Sequence, residues 1–350
     1  MFACPSSAHG PRRLFSSLLA TAALLAACAP SGSVSNTAPV PQPTTSVETT
    51  APATTPPTTV LANRAAPLPM ALLEMASALW DGRIVVAGGM YGANGFNDNT
   101  YFYDPATDSW ESGPSLPTGV HHTGMAVLGD RMYLVGGFQE THFGYAPTSE
   151  VWSLGPGEEQ WRPKPALVTP RGAMGLVSIG DGLMAIGGVG PDYEQLATTE
   201  ILEAGAVEWT VGPELAEPRE HLAATAVGDR VYAIGGRLAT LDTNKATVEV
   251  LEDGEWREGP SLNHARGGFA ATAVDGIPCV AGGEEPERTI GSIECLVDGA
   301  WEIVGEMEVP RHGFALAYLD GALRIIGGGP QPQYAASTLH EVIPLDFGSD

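Results

Sequence analysis

Three repeating features predict an all-β repeat architecture for this chain of 350 residues. A short apolar strand ends in Gly-Gly six times. The first glycines are Gly88, Gly136, Gly187, Gly235, Gly282 and Gly327, spaced by 48, 51, 48, 47 and 45 residues. A period near 50 with one recurring signature marks a repeat fold. Upstream of each doublet sits a pair of Asp and Gly suited to a tight hairpin turn: Asp81-Gly82, Gly129-Asp130, Asp181-Gly182, Gly228-Asp229, Asp275-Gly276 and Asp320-Gly321. Downstream, beyond a loop and a further strand, stands Trp110, Trp161, Trp209, Trp256 or Trp301. Each unit therefore reads as four antiparallel strands, a to d in chain order. Strand a is a small-residue stretch such as "LAATAV" (222–227), b leads into the doublet, c follows the loop, and d carries the tryptophan.

Strand–Gly–Gly followed by "YFYDPATDSW" (101–110) and "PSLP" (114–117) resembles the Kelch repeat, and the resemblance covers about 59–350. It implies a six-bladed Kelch-type β-propeller, with one four-stranded antiparallel sheet per blade around a central axis. The last unit departs from the pattern. The chain ends soon after its strand c, "TLHEVIPL" (338–345), with no tryptophan. Residues near 60–66 are expected to supply the missing outer strand and close the ring, because "APLP" (66–69) aligns with "PSLP". Closure removes the unpaired edges of an open sheet. The doublets read as points where neighbouring backbones approach closely. They do not read as phosphate loops, because no Lys-Ser or Lys-Thr follows them.

The N-terminus reads differently. Arg12-Arg13 precedes "LFSSLLATAALLAAC" (14–28), an apolar run too short to span a bilayer. Leu25-Ala26-Ala27-Cys28 resembles a bacterial lipobox, which implies cleavage before Cys28 and a lipid on its thiol. Residues 1–27 are then a lipoprotein signal peptide. Residues 28–58 are the lipidated cysteine and a Pro/Thr/Ala-rich tether that cannot form a core, and 59–350 are the propeller. The expected location is extracytoplasmic, anchored to the bacterial cell membrane only through lipid. Losing Arg12 and Arg13 with the leader leaves 15 basic against 41 acidic residues, a charge of −26. That opposes binding to nucleic acid. Cys279 and Cys295 fall on strands b and c of the fifth unit, and a disulfide between them is expected in an oxidising compartment.

Antiparallel connections put the longer b–c loops on one face, the usual place for recognition. They carry Tyr91, Phe143 and Tyr145 as candidate ligand contacts, and Phe96, Phe138, Tyr193 and Tyr334 fall in the same set of loops. Sixteen residues before each first glycine stand Leu72, Val120, Arg171, Arg219, Arg266 and Arg311. Two residues later the register gives Glu74, His122, Ala173, His221, Gly268 and Gly313, which should ring the axis. Kelch relatives often hold acidic ligands with arginines here, so Arg171, Arg219, Arg266 and Arg311 are expected ligand residues together with His122. The alternative is that each arginine meets the glutamate that recurs in strand c (Glu150, Glu200, Glu249, Glu294, Glu341) and serves the scaffold.

The functional expectation is a binding module for a protein, peptide or glycan. The alternative is a sugar-active enzyme resembling the sialic acid mutarotases of this repeat class, with Glu74 or His221 as general acid/base. No metal or cofactor is expected. The histidine spacings match no zinc motif, and Asn97, Asp98 and Asn99 offer too few carboxylates for calcium.

Overall fold

The computed structural model describes residues 63–345 apart from 94, together with 347. All of them belong to one compact unit, Pro56–Asp350. The expected leader, Cys28 and the whole tether to residue 58 lie outside the described residues.

Six four-stranded antiparallel sheets form the frame of the described residues. The first runs Ala76–Trp80, Arg83–Ala87, Thr100–Asp104, Ser109–Ser112, and the next four repeat this a-b-c-d order. In the sixth, strands a to c are Ala315–Leu319, Ala322–Ile326 and His340–Pro344. Its outer strand is Asn63–Arg64, which pairs with Val342 and Glu341. The a strands neighbour one another in sequence order: Ala76–Trp80, Gly124–Leu128, Gly175–Ile179, Ala223–Val227, Ala270–Val274, Ala315–Leu319. The last of these lies against the first.

Hairpin chemistry follows the Asp/Gly pairs, with one shift. Asp81-Gly82, Asp275-Gly276 and Asp320-Gly321 have positive φ at both residues, whereas Gly129 and Gly228 take it alone. In the third sheet the turn is Gly180-Asp181, one residue before the expected pair, with Gly180 at φ 53°. Gly182 already belongs to the strand.

The doublets are close-approach points. The N–H of each second glycine donates to a carbonyl of the crossing into the next sheet, as in Gly137 to Arg171 (2.8 Å) and Gly236 to Arg266 (2.9 Å). Both glycines of a doublet have positive φ. A Cβ on Gly136 would lie 2.5 Å from the Arg171 carbonyl oxygen, so the neighbouring sheet leaves room for a hydrogen only.

The tryptophans make the matching contact at the rim. Trp161, Trp209, Trp256 and Trp301 donate their indole N–H groups to Pro114, Pro165, Pro213 and Pro260 of the preceding unit, at 2.8 to 3.1 Å. Trp110 donates to Ala66 (2.9 Å) in the N-terminal segment, which thus stands where those prolines stand elsewhere.

The four arginines lie inside this frame. All are fully buried. Arg171 reaches Glu200 at 2.7 Å and Arg219 reaches Glu249 at 2.6 Å, both within their own sheets. Arg266 pairs with Glu294, and Arg311 with Glu341 at 3.4 Å. Each also donates to the carbonyl of its own sheet's first glycine, for example Arg311 to Gly327 at 2.7 Å. Each glutamate accepts a backbone N–H from the crossing, as Glu249 does from Ala216 (2.7 Å) and Glu341 from Val309 (3.0 Å). In the first sheet the apolar pair Leu72 and Tyr101 occupies the same register, buried. In the second, Val120 leaves Glu150 without an arginine, and Glu150 turns outward to Gln139 (2.7 Å) and Trp152 (3.2 Å).

Cys279 and Cys295 face each other across strands b and c of the fifth sheet and are disulfide-bonded.

Arg219→Ala should therefore cost about 3 kcal/mol in chemical denaturation, because it strands a buried carboxylate. Copying the first sheet with Arg219→Leu plus Glu249→Tyr should recover most of that loss. A single change that costs nothing would remove the ion pairs from the frame.

Candidate functional site

The crossings enter each a strand through a residue in the left-handed region. Glu74 (φ 53°), His122 (51°), Ala173 (53°), His221 (48°), Gly268 (65°) and Gly313 (57°) share this conformation. Their backbones form a cycle: His122 N–H donates to Glu74, Ala173 to His122, His221 to Ala173, Gly268 to His221, Gly313 to Gly268, and Glu74 to Gly313, at 2.6 to 3.0 Å. Glycine relaxes into this conformation, and an L side chain costs roughly 1–2 kcal/mol there. Glu74, His122 and His221 are thus held against a backbone preference. Their side chains line a central cavity of about 190 Å³ whose deeper wall includes Met75, Met125, Met174, Phe269 and Phe314.

Two further registers flank the cycle, with His121, Phe138, Glu220, Arg237, Glu284 and His312 all buried. The residues just before the cycle pair with those just after each doublet: Leu73 with Met90, His121 with Phe138, Gly172 with Val189, Glu220 with Arg237, Gly267 with Glu284, His312 with Gly329. One wall is consequently apolar and aromatic. His121 stacks on Phe96 (4.7 Å between centroids), with Phe138 at 5.4 Å and Tyr145 at 5.2 Å. The opposite wall is charged. Arg237 reaches Glu220 (3.0 Å) and Glu284 (2.9 Å), and His312 lies 3.6 Å from Glu284 and 3.8 Å from Glu74. His122 Nε2 is 3.4 Å from Glu74 Oε2, and His221 Nδ1 meets Glu220 Oε2. Glu74, His122 and His221 each bring one potential metal-ligating atom within 4.8 Å of the others.

Burial dominates the protonation states. It pushes the Glu74 carboxyl up to about 8, with the Glu284 carboxylate adding to the rise and Arg237 opposing it. It holds His122 and His221 well below the usual imidazole range, with nearby cationic groups adding to the effect. His121 falls to about 4 for the same reason. At neutral pH the cycle therefore carries a protonated carboxyl beside neutral imidazoles.

The expected site residues separate into two groups. Glu74, His122, His221 and Tyr145 meet at the mouth. Arg171, Arg219, Arg266 and Arg311 do not: their guanidinium groups sit behind the cycle, spent on glutamates and carbonyls, with no surface to offer a ligand. This corrects the expected arginine clamp, and the physical reason is that the strand-c glutamates reach them first. Tyr91 is exposed beside Gly95. Phe143 is fully exposed at the tip of a hairpin formed by Phe138–Thr141 and Gly144–Pro147, a stretch expected to be plain loop. Asn97 is buried and ties its own loop to Gly88 (2.8 Å). Glu220, Arg237, Glu284 and His312 were missed, although the same counting finds them, fifteen residues before each first glycine and two after it.

The protonation states predict a peaked stability profile. Between about pH 4.5 and 8 the folded chain keeps a proton on Glu74 that the unfolded chain has released, so stability falls as pH rises. Below about pH 6.5 the unfolded histidines take up protons that the folded ones refuse, so stability falls as pH drops. Denaturation of Glu74→Gln from pH 7 to 8 should lack the alkaline loss of about 1 kcal/mol over that unit. An unchanged slope would refute the protonated carboxyl.

With this geometry in place, likenesses to known proteins can be read. Residues 72–117 match the model of the Kelch motif. No curated protein sequence matches the chain. Many solved structures do, 722 chains in all. One is the structure of YjhT, similar at a TM-score of 0.73 and 15% identity over 81% of this chain and 98% of that one. At that identity the likeness speaks for the fold. The motif match and the fold likeness support a Kelch-type propeller fold for this chain.

Proposed function

We propose that the chain is a six-bladed propeller closed by its N-terminal strand, and that it acts outside the cytoplasm as a binding module for the end of a glycan. The hydrogen-bond cycle through six crossings and the pairing of Asn63–Arg64 with the last sheet support the closure. The leader-like residues 1–27, Cys28 and the tether to 58 are the basis for lipid anchoring.

The observation that carries the ligand reading is the split mouth. Tyr145, 39% exposed, offers an aromatic face backed by the buried Phe138 and His121, and Glu220, Arg237, Glu284 and His312 form a largely buried hydrogen-bonded cluster. A sugar ring presents the matching pair of surfaces, with C–H groups on its face and hydroxyls on its rim. The four buried arginines take no part, and Arg237 is itself buried and paired with Glu220 and Glu284. Titration of the full chain with neutral, amino and acidic saccharides, read by calorimetry and thermal shift, should give saturable binding to one class. Tyr145→Ala should weaken it about tenfold, the scale of one lost aromatic contact. Arg219→Ala should lower the melting temperature and leave affinity intact. Binding that survives loss of Tyr145 and Phe138 would refute this seat.

A second reading has its own support. A protonated Glu74 next to neutral His122 is an acid–base pair of the kind that opens a sugar hemiacetal. On this reading the chain is a mutarotase-like enzyme, with His221 beside the pair. Saturation-transfer NMR on the anomeric protons of a bound sugar should detect accelerated exchange, abolished in Glu74→Gln. Exchange at the spontaneous rate would leave a binding module alone.

A further inference from the structure

Glu74, His122 and His221 come from the crossings into three different sheets and share one repeat register, at a spacing that matches no known metal motif. In space their ligand atoms converge within 4.8 Å, with Glu74 Oε2 and His122 Nε2 already 3.4 Å apart. We infer that this triad is a metal site for a divalent first-row cation of the zinc class, set on the propeller axis with open positions facing the cavity. The inference uses the mouth but not the glycan read into it above, and metal binding measured without any sugar lets either fail alone.

Donor chemistry is the first argument. Two imidazoles and one carboxylate suit zinc in sites that keep a position for water or substrate, and suit other first-row divalent ions. Hard all-oxygen ions such as calcium and magnesium are disfavoured.

The outer contacts are the second, independent argument. His221 Nδ1 meets Glu220 Oε2, which leaves Nε2 as the free ring nitrogen. Glu220 is in turn fixed by Arg237 at 3.0 Å. His122 Nδ1 meets His121 Nδ1, and again Nε2 is the free nitrogen. His121 is buried, and its own Nε2 has no hydrogen-bond partner. With His122 donating from Nδ1 to His121, the His122 Nε2 lone pair is left for a cation. Glu74 divides its oxygens, Oε2 toward His122 and Oε1 toward His312 at 3.8 Å. Carboxylate and imidazole partners of this kind orient ligand side chains and set their tautomers at metal centres.

Space is the third argument. Gly268 and Gly313, the other members of the cycle between His221 and Glu74, add no side chain, and about 190 Å³ remains beside the triad. A Cβ at Gly313 would fall 2.4 Å from Glu74 Oε1 and displace the carboxylate.

The test uses the full chain, stripped with chelator and titrated with Zn²⁺ by calorimetry and with Co²⁺ by visible absorption. The expected result is one ion per chain, with Co²⁺ d–d bands of a site of low coordination number. His122→Ala and His221→Ala should each weaken binding roughly 100-fold or more. Glu220→Gln, which leaves the ligands in place, should weaken it about tenfold. His264→Ala, on an exposed histidine, should change nothing. Glu74→Gln keeps shape and packing, so loss of the bands in that variant with its melting temperature retained separates ligation from misfolding. Binding well below one ion per chain, or full binding in the His122→Ala/His221→Ala double variant, would overturn the inference.

Discussion

The contact on which the rest depends is the approach of each Gly-Gly doublet to the crossing of the next sheet. A backbone N–H meets a backbone carbonyl where a methyl group would clash. Hydrogen bonds this short between sheets force the inner strands together, which is why strand a is rich in alanine and glycine. They also place the crossing residues in one conformation six times over, and the cycle of hydrogen bonds around the axis follows from that repetition.

Burying that contact creates a polar problem. The first glycine's carbonyl and the start of strand c both need donors in a region closed to water. Four sheets answer with an arginine whose guanidinium serves both carbonyls and a glutamate. The glutamate's remaining capacity takes the N–H groups of the crossing. The first sheet instead fills the same register with leucine and tyrosine and meets both carbonyls with the Asn97 amide, whose Nδ2 donates to Gly88 (2.8 Å) and Asn99 (3.3 Å). The charged version adds directional hydrogen bonds without adding anything a ligand could reach.

The candidate site is left to the residues one and two places further along, at the crossings between sheets. There the repeat stops being a repeat. Glutamate, histidine, alanine, histidine, glycine and glycine occupy one position in turn, and apolar or charged pairs flank them. Geometrically equivalent places with different chemistry make a site with two unlike walls, and burial then sets the protonation of whatever stands in it.

The sequence by itself determined the repeat, its register, the four strands of each unit and the N-terminal segment as the source of the last outer strand, because these rest on local turn chemistry and a fixed period. It also put Cys279 opposite Cys295 and Glu74, His122 and His221 in one register. Only the tertiary structure decided what the arginines do, since nothing local distinguishes a guanidinium facing a channel from one facing a strand-c glutamate of its own sheet. The same holds for Glu220, Arg237, Glu284 and His312. They belong to the mouth because sheets distant in sequence meet at the axis, and burial there, which no single segment encodes, turns a carboxylate into an acid.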